Sequence, residues 1–238
     1  MTVADRCRQL TDRFELQPRS AEKLNALLKL VITGPSSLTN VREPEAAVEL
    51  HIADSLAGLE LPQLRAASTI ADLGSGGGFP GLVLAVALPE AQLTLVESAA
   101  RKADFLRETA EAMSLDNVVV VAERAELWAL EPREQDVVSS RALASTSILL
   151  EYAAPLLRVG GSLVAWKGRL SGEELADAAF AAGELQMSPP LAVDVSADLV
   201  QGADRRQLIV SEKIAATPDR YPRRPGIAKK RPLVVKQP

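Results

Sequence analysis

The residues best placed to do chemistry begin with an acid ahead of a glycine cluster, Asp72-Leu73-Gly74-Ser75-Gly76-Gly77-Gly78-Phe79-Pro80-Gly81. Glycines in such a run permit positive φ and close backbone approach to a ligand, and the N–H groups opening the next helix would face whatever binds there. The spacing Gly74-x-Gly76-x-Gly78 fits a methyl-donor loop, while Gly76-x-Gly78-x-x-Gly81 fits a dinucleotide loop. Asp72 separates the two. A carboxylate about 4 Å from a pyrophosphate repels it by roughly 4 kcal/mol gross at an effective dielectric near 20. The sulfonium and ammonium groups of S-adenosylmethionine are instead attracted, so that cofactor is expected, with NAD as the alternative.

Further carboxylates and cations follow at the ends of apolar segments. Glu97 lies 23 residues beyond Gly74, where an open α/β sheet offers a carboxylate to ribose hydroxyls. Glu126 is similarly placed to accept from an adenine amino group, or to serve as a helix-start acid. The segment Ser139-Ser140-Arg141-Ala142 contains neither an Asn/Asp-Pro-Pro-Tyr motif to orient an exocyclic amine nor a Pro-Cys pair to attack a pyrimidine. The expected acceptor is therefore already nucleophilic, such as a ring nitrogen with an in-plane lone pair, and no catalytic side chain is expected. Arg141 and Lys167 could clamp a phosphate or carbonyl of that acceptor, or form structural ion pairs. His51 is the only histidine, which excludes a multi-histidine metal site and favours a hydrogen-bonding role; no metal site is expected.

These residues need a framework of alternating strands and helices. Helices are expected over Ala4 to Leu16, from a Ser20 cap with Leu24, Leu27, Leu28 and Val31 on one face, and from near Pro44 with Val48, Ile52 and Leu56 aligned. Strands are expected at Ser68 to Leu73, Gln92 to Glu97, Val118 to Val121, Asp136 to Ser139, Ser162 to Lys167, Leu191 to Val195 and Gln207 to Glu212. Helices fall between them at Leu82 to Leu88, Arg101 to Met113, Ser145 to Leu157 (closed by Gly160-Gly161) and Ser171 to Leu185. This alternation predicts a doubly wound, mostly parallel seven-stranded α/β sheet of the class I, Rossmann-like methyltransferase type. An N-terminal helical cap occupies residues 1–65, the methyltransferase domain 66–214 and a basic C-terminal tail 215–238.

The chain of 238 residues, 47% hydrophobic, suffices for one substantial core. Its single cysteine, Cys7, excludes an internal disulfide. The charged stretch Met1 to Gln17 does not read as a secretory leader, and no apolar run is long enough to span a bilayer, so a soluble cytoplasmic protein is expected. Pro218 to Pro238 carries seven basic residues and one acid against a net charge of −4, leaving about −10 on the rest. A basic tail on an acidic body suggests a polyanionic partner, or a solvated terminus.

Together these segments resemble the RsmG-type (glucose-inhibited division protein B) bacterial methyltransferases. The resemblance covers nearly the whole chain. It rests on Leu38-Thr39-Asn40, His51-Ile52-Ala53-Asp54-Ser55-Leu56, the glycine cluster, Arg124-Ala125-Glu126, Ser140-Arg141-Ala142, Trp166-Lys167-Gly168, Arg206-Gln207-Leu208-Ile209-Val210 and Tyr221-Pro222-Arg223-Arg224-Pro225-Gly226, in that order. It implies S-adenosylmethionine-dependent methylation of guanine N7 in the 530 loop of 16S rRNA, within the small ribosomal subunit or a precursor; a monomer is expected. It also implies a cofactor pocket lined by Gly74, Phe79, Ala125, Glu126 and Arg141, joined by Gly76 and Glu97 from the loop reading. Lys167 and the tail, with Arg223 and Arg224, would lie toward RNA. The rivals are methylation of another RNA or a small molecule, and a non-catalytic nucleotide- or RNA-binding module.

Overall fold

The computed structural model describes residues 1–36, 38–131, 133–200 and 206–235. Its centre is a seven-stranded sheet whose strands are β1 (Thr69–Leu73), β2 (Gln92–Val96), β3 (Val118–Val121), β4 (Gln135–Arg141), β5 (Leu157–Lys167), β6 (Leu191–Asp194) and β7 (Gln207–Glu212). The order is β3-β2-β1-β4-β5-β7-β6, and β7 alone runs antiparallel to its neighbours. The chain reverses direction spatially between β3 and β4, which flank opposite sides of the β1–β2 pair. In open α/β sheets ligands bind outside the C-terminal strand ends at such a switch point.

Both faces of the sheet are covered, as the long apolar strands require. Period-2 alternation sends Ile70, Leu93, Leu95, Val137, Val164, Trp166 and Leu208 into one core. Ala71, Leu73, Val96, Val138, Leu163, Ala165 and Ile209 enter the other. The N-terminal helices, Val3–Arg13 and Ser20–Thr33, share the first core with the helix Gly81–Ala87. Residues 1–65 are thus continuous with the sheet's packing. The second core holds the helices Thr146–Ala153 and Gly172–Glu184 and also Tyr221 and Ala228 from the C-terminal segment.

Local departures from the sequence reading have physical causes. Ser20 opens its helix without capping it, since Arg19 holds the cap position and no side chain bonds the free N–H groups. Thr2 instead caps the first helix through a reciprocal pair of bonds with Asp5. The helix starting at Pro44 widens into a π-turn over Val48–Ala53 before continuing as Asp54–Leu56. Gly160 and Gly161 lie inside β5 and not in a loop after the preceding helix. A Cβ on Gly161 would stand 2.7 Å from the Gln135 carbonyl oxygen and 3.0 Å from that of Asp136, beside a register shift between β4 and β5. Close strand approach, not helix termination, accounts for that glycine.

Candidate active site

The glycine loop leaves β1 at the C-terminal edge of the sheet. Gly74 donates to the Val96 carbonyl at 2.8 Å and Gly78 to that of Ser75 at 2.7 Å, while Gly74, Gly76 and Gly78 adopt φ of 72°, 54° and 95°. Side chains rarely tolerate this region. A Cβ at Gly76 would meet only the Gly74 oxygen, at 3.7 Å, so that residue borders open space. At Gly81 a Cβ would lie 2.3 Å from Leu95 and 2.7 Å from an Asp72 oxygen, so there the glycine serves packing.

Asp72 is 1% exposed. It accepts from the Gly81 N–H at 3.2 Å and the Ser139 hydroxyl at 2.9 Å, and burial pushes its carboxyl up to about 6 despite these donors. The carboxylate thus braces the loop from beneath and acts on a cationic ligand only through space, where the sequence reading had it facing the ligand. Glu97, just beyond β2, accepts from Gly76 N–H at 3.0 Å and Ala99 N–H at 2.8 Å. Its carboxylate is therefore tied to the loop's central glycine.

Beside this loop opens a cleft. Gly74, Val96, Ala125, Glu126, Leu143 and Tyr152 line it, with the exposed Lys229 at its rim. Ser98, Glu123 and Arg124 complete the lining, and such a mixture of apolar and polar groups can hold a nucleoside. The Tyr152 hydroxyl is buried beside the Glu126 carboxylate, and burial together with that carboxylate raises its pKa, keeping it a donor. Burial alone would raise Glu126, but N–H donors from its own backbone, Arg124 and Gly226 outweigh it and hold the carboxyl below its usual range. An anionic acceptor, a hydroxyl donor beside it and the bare backbone of Gly76 fit a nucleoside cofactor such as S-adenosylmethionine.

Phe79 and Arg141 belong to a neighbouring cluster and do not line this cleft. The Phe79 ring stacks on His51 at 4.5 Å, and the Arg141 guanidinium lies 5.2 Å from the Phe79 centroid. Arg141 donates to the Leu50 carbonyl at 2.7 Å, the Asp54 carboxylate at 3.0 Å and His51 Nδ1 at 3.3 Å. Asp54, fully buried, also pairs with Arg206 at 2.7 Å. Because arginine only donates, Nδ1 accepts, and Nε2 carries the proton that bonds Thr39 Oγ1 at 2.8 Å. The cluster joins the N-terminal helices to β4 and the glycine loop, so Arg141 positions the loop in this structure.

The cations assigned toward RNA are differently placed. Lys167 bonds the Ala144 carbonyl at 2.8 Å and Glu174 at 3.1 Å. Arg223 grips the buried Glu151 with two bonds, one of 2.7 Å. Arg224 is exposed. The structure thus brings Gly74, Ala125 and Glu126 to one cleft with Gly76 and Glu97 adjoining, and engages Lys167 and Arg223 internally. Tyr152, Leu143 and Lys229 escaped the sequence reading. For Tyr152 a signal existed: Glu151-Tyr152 interrupts an otherwise apolar helical stretch.

His51 makes acid stability testable. Burial and the Arg141 charge lower its pKa from the ordinary 6.5 to about 4. Between those values the unfolded chain binds more protons than the fold, so this contribution is present above about pH 6.5 and is lost as pH falls toward 4, by up to about 3 kcal/mol. Asp72, raised toward 6, acts oppositely over the same acidic range. Comparison with His51→Gln isolates the histidine: in urea titrations the wild type should lose stability relative to the variant between about pH 7.5 and 4.5. A constant difference across that range would contradict the assignment.

A sheet of this order, with an antiparallel seventh strand and an acid-preceded glycine loop at the end of β1, defines the class I methyltransferase fold. A solved O-methyltransferase from Bacillus cereus, in complex with SAH, superposes with a TM-score of 0.56 at 16% identity, covering 87% of this chain and 96% of that one. The family model described as GidB, rRNA small subunit methyltransferase G, matches residues 20–197. The chain is 42% identical to the ribosomal RNA small subunit methyltransferase G of Rubrobacter xylanophilus, over 83% of this chain and 77% of the relative. It is 34% identical to that of Staphylococcus saprophyticus, over 99% and 100%. The chain belongs to the rRNA small subunit methyltransferase G family.

Proposed function

We propose that the protein transfers the methyl group of S-adenosylmethionine to N7 of a guanine in the 530 loop of 16S rRNA. The observation that carries this reading is the convergence of Gly74, Ala125 and Glu126 on one cleft beside the glycine loop in a chain of this family. Gly74, Gly76, Glu97, Ala125 and Glu126 would hold the cofactor, with Tyr152 beside them and Phe79 and Arg141 behind the loop. When bound, the cofactor would supply an electrophilic methyl carbon on a sulfonium sulfur, the C–S electron pair staying on sulfur, as a neutral thioether, while the nitrogen lone pair forms the N–C bond.

Guanine N7 carries no proton, so none is removed, and the product base gains the positive charge the sulfonium loses. The chain's task is to align the two reactants, an effect worth roughly 7–11 kcal/mol in well-oriented systems. His51 is unsuited to general-base work, because Thr39 and Arg141 occupy both its ring nitrogens. The exposed Arg224, Lys230 and Arg231 supply positive charge for RNA phosphates. We place the reaction on the small subunit or its precursor in the bacterial cytoplasm, with the protein acting as a monomer. Among the described residues, no helix is long and apolar enough to cross a membrane.

The test compares 16S rRNA from cells with and without the protein. N7-methylguanosine in the 530 loop should be present in the first and missing from the second. Equal amounts in both would refute the proposal.

A further inference from the structure

The C-terminal segment carries a feature that a phosphate-binding arm does not need. It is pinned back onto the body at several points. Arg220 pairs with Glu184 at 2.9 Å, and Tyr221 is buried in the second core. Arg223 grips Glu151, the residue preceding the cleft's Tyr152. Gly226, at φ 82°, makes a turn that needs no side chain and sends its N–H 3.2 Å to the Glu126 carboxylate. The short helix Ile227–Lys230 follows, with Ala228 buried and Lys229 on the cleft rim.

One of these anchors, Glu126, lines the cleft itself, and another, Glu151, precedes the lining residue Tyr152 in sequence. Lys229 makes no hydrogen bond or ion pair to another side chain among the described residues, so its ammonium is available to a ligand. An adenine offers ring nitrogens that accept, and an amino group that donates. The cleft offers the Lys229 ammonium to those ring nitrogens and the Glu126 carboxylate, whose Oε1 already accepts from Arg124 and the Gly226 N–H, to the amino group.

We infer that residues 218–231 form the outer wall of the cofactor site, with Lys229 donating to the nucleoside end of the bound cofactor. The inference rests on the cofactor reading above. It gives the basic tail a first task in cofactor retention, and it ties occupancy of the site to the segment carrying the exposed Arg224, Lys230 and Arg231.

The experiment measures S-adenosylhomocysteine binding by calorimetry to the full chain, to Lys229→Ala and to a chain ending at Thr217. Lys229→Ala should weaken binding by about tenfold, the scale of one hydrogen bond from a charged donor. Its melting temperature without ligand should not change, because the side chain is exposed and unpaired. The shortened chain should lose more. If it does not fold, Lys229→Ala decides alone. Unchanged affinity in Lys229→Ala would overturn the inference, as would unchanged affinity in a folded shortened chain. No binding by the full chain would instead overturn the cofactor reading.

Discussion

Gly76→Val is expected to abolish measurable S-adenosylmethionine binding in a chain that still folds. The native φ of 54° costs a β-branched residue about 1–2 kcal/mol, which a domain of this size survives. The new Cβ meets nothing closer than the Gly74 oxygen at 3.7 Å, so no core atom is displaced. Binding suffers for a different reason. The Gly76 N–H holds Glu97 at 3.0 Å, and its bare Cα borders the space where a ligand must approach the loop. A valine there fills that space and tilts the peptide bonded to Glu97. The loss should exceed ~100-fold, or about 2.7 kcal/mol. Calorimetry on the variant, with circular dichroism confirming the fold, decides it, and wild-type affinity in the folded variant would remove the loop from the cofactor site.

The second large effect concerns the acceptor. A reaction driven by alignment on an unprotonated nitrogen needs no general base, so single-turnover transfer at saturating RNA and cofactor should show no titration between about pH 6 and 9 assignable to one. His51 titrates near 4, outside this window. Asp72, raised only to about 6 and buried beneath the loop, has no route to the base. His51→Gln should show a flat profile of the same shape, whatever its absolute rate. A rate rising with a single ionisation in that window, and flattened by His51→Gln, would assign the histidine a proton-transfer role.

The sheet was legible because its strands are short apolar runs bounded by glycines and acids. The order of acid, glycines, second acid and Ala125-Glu126 revealed where the cleft would lie. What stayed hidden depends on partners distant in sequence. Arg141 ends β4 as expected, but its engagement with Asp54, 87 residues upstream, could not be read from local spacing. Lys167 likewise finds Glu174 only once the following helix folds back. The tail's charge balance suggested a polyanionic partner or a solvated terminus, because composition does not show that Glu151, Glu184 and Glu126 await Arg223, Arg220 and the Gly226 N–H. Asp72 was recognised by position, yet its burial beneath Gly81 and Ser139 is a property of helix–strand packing.

The central claim, methyl transfer to guanine N7, is tested most directly by replacing that one atom. Small subunits assembled with 16S rRNA that lacks the modification, carrying either guanine or 7-deazaguanine at the 530-loop target, are incubated with the protein and labelled S-adenosylmethionine. The guanine substrate should take up one methyl group, recovered as N7-methylguanosine. The 7-deazaguanine substrate should bind with similar affinity and take up none, since a carbon replaces the nucleophilic nitrogen. Methylation of the deaza substrate, or a methyl group recovered on any other atom of the guanine substrate, would contradict the account.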